Sequence, residues 1–565
     1  MNVSEKLVAE LLRLGFTDYF LVTGGAIAPF VDAVGKNQNV AYYCFQHEQA
    51  AAMAAEGYYR ASGKPAVVLV TSGPGVQNLL NGVCGCWYDS IPCLFISGQV
   101  NTKESLDSIT SKPRQVGFQE TPVEEMFSSV TLFSKKIKTT AEVVEVFSRA
   151  LHLMTASRKG PVLIDLPVDV QMDIAPSTLC LSDYPVQTFP LSVPENIIQI
   201  IKESTRPIVI IGNGCRGTDV HVWLDRTGFP SVTTWAAIDI GHTNTIGSYG
   251  VYGDRVANFA VQNADLLIIL GSRMDTRQTG GKLQMFSRES KKIMVDIDAE
   301  EITKLIERGI NIDVQCVGYV EEFLKQVCVT KDCSVWLNTI SEWKTVFGKE
   351  ERKGNVYTFL ENLNLPDNCI VIPDQGGNMV WTMQSVKPKK NQRLFTNLGN
   401  SSMGWALPAA IGAAIGTKGK VPIVCIEGDG GIQMNIQELS TLSKLNLPVN
   451  VIVLNNKGYG IIKQFQDSYF NSRYTATKSN DVFGDSQGLD FTHIARAYGV
   501  EAHSEYKGVV FKPVLYDIQI DSDQKIYPKL EFGNALEHMS PMLNLNQYMI
   551  VSPVPALKGS VWKNI

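Results

Sequence analysis

Little in this 565-residue chain is extreme, and each thing it lacks closes a class of function. Neither sign of charge prevails: 51 Lys and Arg face 56 Asp and Glu, a net charge of −5, which leaves no electrostatic footprint for nucleic acid or an anionic membrane surface. No apolar run approaches the roughly 18 to 20 residues that span a bilayer. The opening MNVSEKLVAELLRLGF reads as an amphipathic helix with acidic residues, so neither an export signal nor a membrane anchor is expected there. The eleven Cys form no CxxC pair and no dense framework; most lie in or beside apolar runs, which fits reduced thiols and a cytoplasmic setting. There is no short-period repeat and no low-complexity tract. His is scarce, with seven in all, and none adjoins another.

What the chain does have is core. With 44% hydrophobic and 19% charged residues the composition is globular, and at about 150 residues per domain the length predicts three or four domains. Short apolar runs end in Gly, Asp, Asn or Pro: AVVLVTSGPG from Ala66, PVLIDLP from Pro161, PIVIIGNG from Pro207, DLLIILGSR from Asp265, PIVCIEGDG from Pro422 and VNVIVLNN from Val449. They read as buried parallel strands, and the stretches between them, such as His47 to Arg60, Val143 to Met154 and Ile436 to Leu445, carry small and apolar residues at helical spacing. The expected class is α/β, with doubly wound parallel sheets. Linkers are expected at 173–194, rich in Pro and Ser, and at 347–355, charged and Gly-containing. They give domains over 1–172, 190–330 and 350–535 and a tail over 536–565. Ligands of such sheets sit beyond the carboxyl ends of the strands.

The strongest motif is PIVCIEGDGG followed by NIQELSTLSKLNLPVNVIVLNNKGYG. One strand ends at Gly428, Asp429, Gly430 and Gly431, a helix follows, and the next strand ends at Asn455 and Asn456. Two adjacent strand ends then present oxygens side by side. A hard cation such as Mg²⁺ takes carboxylate and carbonyl oxygens together with phosphate, while glycines admit a diphosphate and a helix N-terminus favours its charge. Either element alone reads equally as a tight turn; the pair, with 24 residues between them and set on two apolar strands, does not.

This spacing resembles that of the thiamine diphosphate enzymes, and over residues 1 to about 500 the chain resembles the acetolactate (acetohydroxyacid) synthases among them. The resemblance implies Mg²⁺ held by Asp429, the Asn456 side chain and the Gly458 carbonyl, with further diphosphate contacts at Gly377 and Asn378, where those synthases usually carry Gln and His. In CFQHEQAAAMAAEGYYRASG, Glu48 read alone is a helix N-terminal charge. By the resemblance it is the carboxylic acid that bonds N1′ of the aminopyrimidine and favours the imino tautomer acting as base. Pro74 and Asn78, in SGPGVQNLL, belong near that ring, and Phe118 and Gln119, in GFQETPVEE, would face the reacting centre. Met403, in NLGNSSMGWALPAAIGAA, is alone a core gap-filler; by the resemblance it is the apolar residue under the cofactor that keeps it bent.

The middle domain contains a GxGxxG from Gly212, but the acidic residue a dinucleotide site needs is missing from the next strand, SVTTW. DLLIILGSRMDTRQTGG and IMVDIDAEEI instead resemble the FAD-carrying domain of acetolactate synthases, which implies Gly212, Arg273, Arg277 and Asp296 as FAD candidates. FAD would do no redox chemistry there, and other members bind another nucleotide or none at that domain.

The activity implied is decarboxylation of a 2-oxo acid, pyruvate first, and transfer of the two-carbon acyl unit to a second carbonyl. The absence of an adjacent His pair favours this over simple decarboxylation. Val168 stands where the synthases have Lys, and Phe465 where they have Trp, so Ile461 and Phe465 are candidate acceptor-pocket residues. The alternative is a carboligase with a different acceptor, such as a ketone or a nucleotide-linked keto sugar, or a 2-oxo acid decarboxylase; the third reading is a non-catalytic homologue that binds thiamine diphosphate. The implied assembly is a homodimer with sites at the subunit interface, or a tetramer.

Overall fold

The computed structural model describes residues 1–182, 191–347, 352–477 and 489–543. Among the described residues the strands form three six-stranded parallel sheets and one short antiparallel pair, Lys529–Leu530 with Met539–Ser540. The first holds β1 (Asp18–Leu21), β2 (Ala41–Cys44), β3 (Val67–Val70), β4 (Leu94–Gln99), β5 (Phe133–Lys136) and β6 (Val162–Pro167), in the order β2-β1-β3-β4-β6-β5. The second holds β7 (Pro207–Ile211), β8 (Ser231–Thr233), β9 (Thr245–Ser248), β10 (Leu266–Leu270), β11 (Lys291–Asp296) and β12 (Val314–Val317), in the order β12-β11-β10-β7-β8-β9. The third holds β13 (Ile370–Pro373), β14 (Arg393–Leu394), β15 (Ile423–Gly428), β16 (Val449–Asn455), β17 (Glu501–His503) and β18 (Val514–Gln519), in the order β14-β13-β15-β16-β18-β17. The α/β class and all six sequence-predicted strands are as expected. Central strands such as β3, β10 and β16 are buried at every residue because helices cover both faces of a parallel sheet.

Each sheet has a central point where its direction of growth reverses, between β1 and β3, between β7 and β10, and between β13 and β15; in the first and third sheets the last strand also turns back, β6 inserting between β4 and β5 and β18 between β16 and β17. A crevice for a ligand opens at a central reversal beyond the carboxyl ends of the strands.

The chain groups into two compact units. One comprises Met1–Gln187, Leu363–Met379 and Asn391–Asp523; the other comprises Thr188–Asn362, Val380–Lys390 and Gln524–Ile565. The first and third sheets therefore share a unit, although the sequence divides the chain into three parts. Within the second unit, Arg255 donates to the carbonyl oxygens of Met539 at 3.3 Å and Pro541 at 2.7 Å, so the described start of the tail lies on the helix Arg255–Gln262. Residues 544–565 lie outside the described residues.

The first unit is joined by two helices that are rich in small residues. Glu48–Ser62 carries Ala50, Ala51, Ala52, Ala54 and Ala55, and Ala406–Gly416 carries Ala406, Ala409, Ala410, Ala413 and Ala414, all buried in one core. Their backbones touch: a Cβ on Gly57 would stand 2.1 Å from the Ala409 carbonyl oxygen, and one on Gly412 would stand 1.8 Å from that of Ala54. Helices with ordinary side chains between them keep their axes about 8–10 Å apart, so the small residues are what permits the approach.

All eleven Cys are free and seven of them are buried, in keeping with the expectation of reduced thiols. No helix among the described residues is long and apolar enough to cross a membrane.

Gly412→Ala is expected to destabilise the protein by about 1–3 kcal/mol, as overpacking does. Gly35→Ala, in the helix Ala28–Lys36 with nothing within 4 Å of the new Cβ, is expected to stabilise it by about 0.5–1 kcal/mol. Thermal midpoints followed by circular dichroism check both; equal shifts for the two would refute the close-packing account.

Candidate active site

The candidate residues of the first sheet converge at its carboxyl end. Glu48 is the first residue of the helix that follows β2, after the His47 N-cap, whose Nδ1 accepts from the Gln49 N–H at 3.1 Å. Its Oε2 accepts from Asn78 Nδ2 at 2.9 Å, which brings together two residues thirty positions apart. The turn after β3 makes this approach possible. A Cβ on Gly75 would lie 2.8 Å from Thr71 Cγ2 and 3.5 Å from Glu48 Oε1, and one on Gly73, at φ +59°, would lie 2.9 Å from Gln119 Cβ. Gln119 itself has φ +65°, a left-handed conformation rare outside Gly, Asn and Asp that is found at functional sites. Pro74 is exposed, Glu48 is half-buried and Phe118 is 85% exposed.

Buried acids support the Gln119 segment. Glu120 accepts from the backbone N–H groups of Leu106, Val116 and Gly117 at 2.6, 3.2 and 3.3 Å. Asp165, in β6, accepts from Ser97 Oγ at 2.6 Å and Gln99 Nε2 at 2.8 Å, and the same Gln99 nitrogen donates to the Thr121 carbonyl at 3.1 Å. Burial pushes the Asp165 carboxyl up to about 7, against the pull of these hydrogen bonds and of Lys136.

In the third sheet β15 and β16 are neighbours, with Gly428 opposite Leu454, so Asp429 and Asn456 emerge side by side. Asp429 is buried; its Oδ2 accepts from the Gly458 N–H at 2.8 Å and its Oδ1 from the Gly430 N–H at 3.0 Å. The Asn456 amide presents one polar atom 3.2 Å from Asp429 Oδ1 and 2.7 Å from the Gly458 carbonyl oxygen. With its nitrogen there the amide donates to both; with its oxygen there three oxygens face one another, which is stable only around a cation. Adjacent ligands of an octahedral Mg²⁺ at 2.0–2.1 Å stand about 2.9 Å apart. The donor set fits Mg²⁺ by both type and spacing.

The end of β13, across the sheet reversal, supplies Gly377 and Asn378. Asn378 Nδ2 donates to the Gln375 carbonyl at 2.9 Å, and its Oδ1 is buried without a partner among the described residues, leaving capacity for one further contact. A Cβ on Gly428 would lie 2.9 Å from that Nδ2, one on Gly430 2.6 Å from the Tyr459 ring, and one on Gly431 2.2 Å from Asp374 Oδ2. The glycines thus form a cradle that side chains would fill. The helix Glu438–Leu445 falls within the stretch 436–445 read as helical, and a single helical turn, Asp429–Ile432, precedes it; that turn is folded back against Gly404, whose Cβ would meet the Gly431 carbonyl oxygen at 2.8 Å. That contact sets Met403, half-buried, beside the GDGG turn.

On the helix Gly460–Tyr469, Ile461 and Phe465 are one turn apart and share a face. The Phe465 ring lies 4.9 Å from that of Tyr469 and 5.7 Å from that of Phe470. This helix buries Gln464 and Gln466 and exposes Ile462, Phe465 and Tyr469, the reverse of a free surface helix.

In the second unit, Gly212 follows β7, Arg273 and Arg277 follow β10, and Asp296 ends β11, so three adjacent strands bring the four FAD candidates to one edge. The first two glycines of GxGxxG are explained by packing, and the third, Gly217, by a positive φ of +80°. A Cβ on Gly212 would lie 2.1 Å from the Gly271 carbonyl oxygen, and one on Gly214 2.7 Å from Gly271 Cα. Arg216 pairs with Asp239 at 2.6 Å. Arg273 follows β10, one of the two strands at the sheet reversal where ligands of such sheets bind, and its guanidinium suits an anionic group. A cleft of about 400 Å³ in the same unit is lined by none of the four; its Asp254 is paired with Arg352 at 3.3 Å and Lys387 at 3.7 Å. No two His are adjacent in sequence, but His221 and His242 stack at 5.9 Å, in the second unit.

Sequence reasoning missed several supporting groups. Asp374 accepts from the N–H groups of Gly404, Trp405 and Ala406 at 2.8, 2.8 and 3.2 Å, and burial pushes its carboxyl up to about 6. Glu427 accepts from the Leu407 N–H at 2.9 Å and is driven well above the carboxylate range by burial and by Asp374. Glu438 accepts from the Gln46 N–H at 3.0 Å, just ahead of Glu48. The one available signal was an acid at or next to a strand end, as in IPDQGG.

Family comparisons agree with this geometry. Residues 1–126 match the N-terminal TPP binding domain of thiamine pyrophosphate enzymes, residues 195–327 their central domain and residues 374–515 their C-terminal TPP binding domain. The chain belongs to the thiamine pyrophosphate enzymes, on the branch of the acetolactate synthase large subunits. It is 31% identical over 576 residues to acetolactate synthase 1, chloroplastic, of Oryza sativa subsp. japonica, covering 94% of this chain and 87% of that protein. It is 31% identical to the acetolactate synthase isozyme 2 large subunit of Escherichia coli (strain K12), covering 96% and 100%. It is 33% identical to the probable acetolactate synthase large subunit of Methanocaldococcus jannaschii, covering 95% of each.

A carboxyl that keeps its proton to about pH 7 when folded, and loses it near pH 4 when unfolded, makes stability fall as pH rises through that window. Asp165→Asn is therefore expected to lose less of its thermal midpoint than the parent between pH 5 and pH 8. Parallel losses would mean that Asp165 is ionised throughout.

Proposed function

We propose that this enzyme is a Mg²⁺- and thiamine diphosphate-dependent carboligase that decarboxylates a 2-oxo acid, pyruvate first, and transfers the two-carbon acyl unit to a second carbonyl, as an acetolactate synthase does. The observation that carries the reading is the meeting of Asp429, Asn456 and the Gly458 carbonyl at the carboxyl ends of β15 and β16, one strand from the sheet reversal, with oxygen spacings that suit Mg²⁺. When bound, thiamine diphosphate supplies the carbanion chemistry that adds to a 2-oxo acid and retains the fragment left by CO₂.

The protein's own groups bind and orient. Asp429, Asn456 and Gly458 hold Mg²⁺, and Gly377, Asn378 and the cradle of Gly428, Gly430 and Gly431 admit the diphosphate. Glu48 holds a proton at N1′ of the aminopyrimidine, with one carboxylate oxygen fixed by Asn78. With thiamine diphosphate bound, Pro74 and Asn78 would lie beside that ring, Met403 would support the cofactor from below, and Gln119 with Phe118 would face the reacting carbons.

The acceptor is the second carbonyl substrate, met by Ile461 and Phe465. Phe465, where acetolactate synthases carry Trp, keeps an aromatic wall of different size, which supports a second reading with a larger or different acceptor. The exposed apolar side chains of Phe118, Ile462, Phe465 and Tyr469 support a homodimer that covers them, with each site built from the Glu48 region of one protomer and the Asp429 region of its partner, and a tetramer as a pair of such dimers. Gly212, Arg273, Arg277 and Asp296 would hold FAD in a non-redox role.

Carbon-13 NMR of labelled pyruvate with the protein, thiamine diphosphate and Mg²⁺ tests the reading. Acetolactate is expected, and Glu48→Gln should slow its formation about 10²–10⁴-fold, the range for a lost acid–base group. Pyruvate left unconsumed by the parent would sink the proposal, whereas CO₂ release without acetolactate would leave only the second reading. Asp429→Asn is expected to weaken Mg²⁺ at least a hundredfold in calorimetric titrations made in the presence of thiamine diphosphate; unchanged affinity would remove Asp429 from the metal site.

A further inference from the structure

The segment Asn397–Leu407, which carries Met403, has almost no regular structure of its own, yet its backbone is fixed at both ends by buried acids. At one end Asp89 accepts from the N–H groups of Leu398 and Gly399, both at 2.9 Å, and Asn397 Oδ1 accepts from those of Asn400 at 3.1 Å and Ser401 at 2.8 Å. At the other end Asp374 takes the N–H groups of Gly404, Trp405 and Ala406, and Glu427 takes that of Leu407. Ser402 and Met403 lie between the two anchored stretches. Ser401 at φ +60° and Gly404 at φ +74° give the turn a backbone that persists only where its surroundings impose it.

The first anchor is itself built from the helix that Glu48 begins. Arg60 binds Asp89 at 2.6 Å and Glu56 at 2.7 Å. Glu56, fully buried, accepts on its other oxygen from Asn397 Nδ2 at 3.0 Å and Trp405 Nε1 at 2.7 Å. Three charged side chains, none more than 11% exposed, are a costly way to stabilise a fold, since apolar groups of similar volume often do as well. What apolar groups cannot do is accept hydrogen bonds from a run of backbone N–H groups and so dictate the path of an irregular segment.

We propose that Asp89, with Arg60 and Glu56 behind it, is a positioning residue that fixes the height and direction of Met403 beneath the cofactor; this rests on the role given to Met403 above. The helix that presents Glu48 thereby also sets the platform carried by the 397–407 segment of the same chain.

The test uses the full chain and Asp89→Asn, which keeps the shape of the side chain and removes its charge. In the cofactor-free protein, hydrogen–deuterium exchange read by mass spectrometry is expected to be at least tenfold faster over 398–401 and unchanged over Val449–Asn455. With saturating thiamine diphosphate and Mg²⁺, exchange of the cofactor's C2 proton, followed by NMR after acid quench, is expected to slow at least tenfold while half-saturation by thiamine diphosphate moves less than threefold. Unaltered amide exchange, or faster amide exchange with C2 exchange at the parental rate, overturns the proposal. Should Asp89→Asn not fold, Arg60→Lys carries the same expectations, because it keeps the charge and gives up the forked grip on both acids. Met403→Ala separates the two readings. Parental C2 exchange in that variant would remove the role given to Met403, while the amide exchange of Asp89→Asn would still report on the anchor alone.

Discussion

The near-contact of two helix backbones, Gly57 on Ala409 and Gly412 on Ala54, is the constraint on which the first unit depends. Helices that approach this closely have no room for side-chain adjustment, so position along either axis is transmitted to the other with little slack. One helix begins with Glu48; the other is preceded by the segment bearing Met403. The Ala-rich composition of both, which in a looser fold would be a source of weak packing, is here what makes a rigid joint between two sheets.

Buried acids do much of the remaining shaping. Asp89, Glu120, Asp165, Asp374 and Glu438 accept hydrogen bonds chiefly from backbone N–H groups or from side chains that fix a loop. A carboxylate with several such donors serves as a compact replacement for secondary structure where the chain must turn around a ligand and cannot form a helix or strand. Segments 106–120 and 397–407 are both of this kind, and both flank candidate site residues.

The sheets were legible because buried parallel strands leave uninterrupted apolar runs. The short edge strands TIGS at β9, RL at β14 and EAH at β17 left no such mark, since an edge strand is half solvated and carries polar residues. Asp429 and Asn456 could be read from the ends of two apolar strands and the distance between them. Glu56 could not: in AAAMAAEGYYR it reads as an ordinary i, i+4 partner of Arg60 on a helix surface, and its burial comes from Trp405 and Asn397, some 340 positions away. The same holds for the helix Gly460–Tyr469, whose inverted pattern of buried Gln and exposed aromatics is visible only once the rest of the sheet is in place.

The discontinuity of the first unit has a consequence for biosynthesis. At about 5–20 residues per second, the ribosome takes on the order of twenty to seventy seconds to travel from Ser62 to Ala406. During that interval the first sheet can assemble, but its Ala and Gly stripe faces no partner, and the second unit is completed only after Gln524 has been made. A nascent chain of this architecture therefore carries an uncovered apolar stripe through most of its translation, and the joint between the two sheets can close only after Ala406–Gly416 has been made.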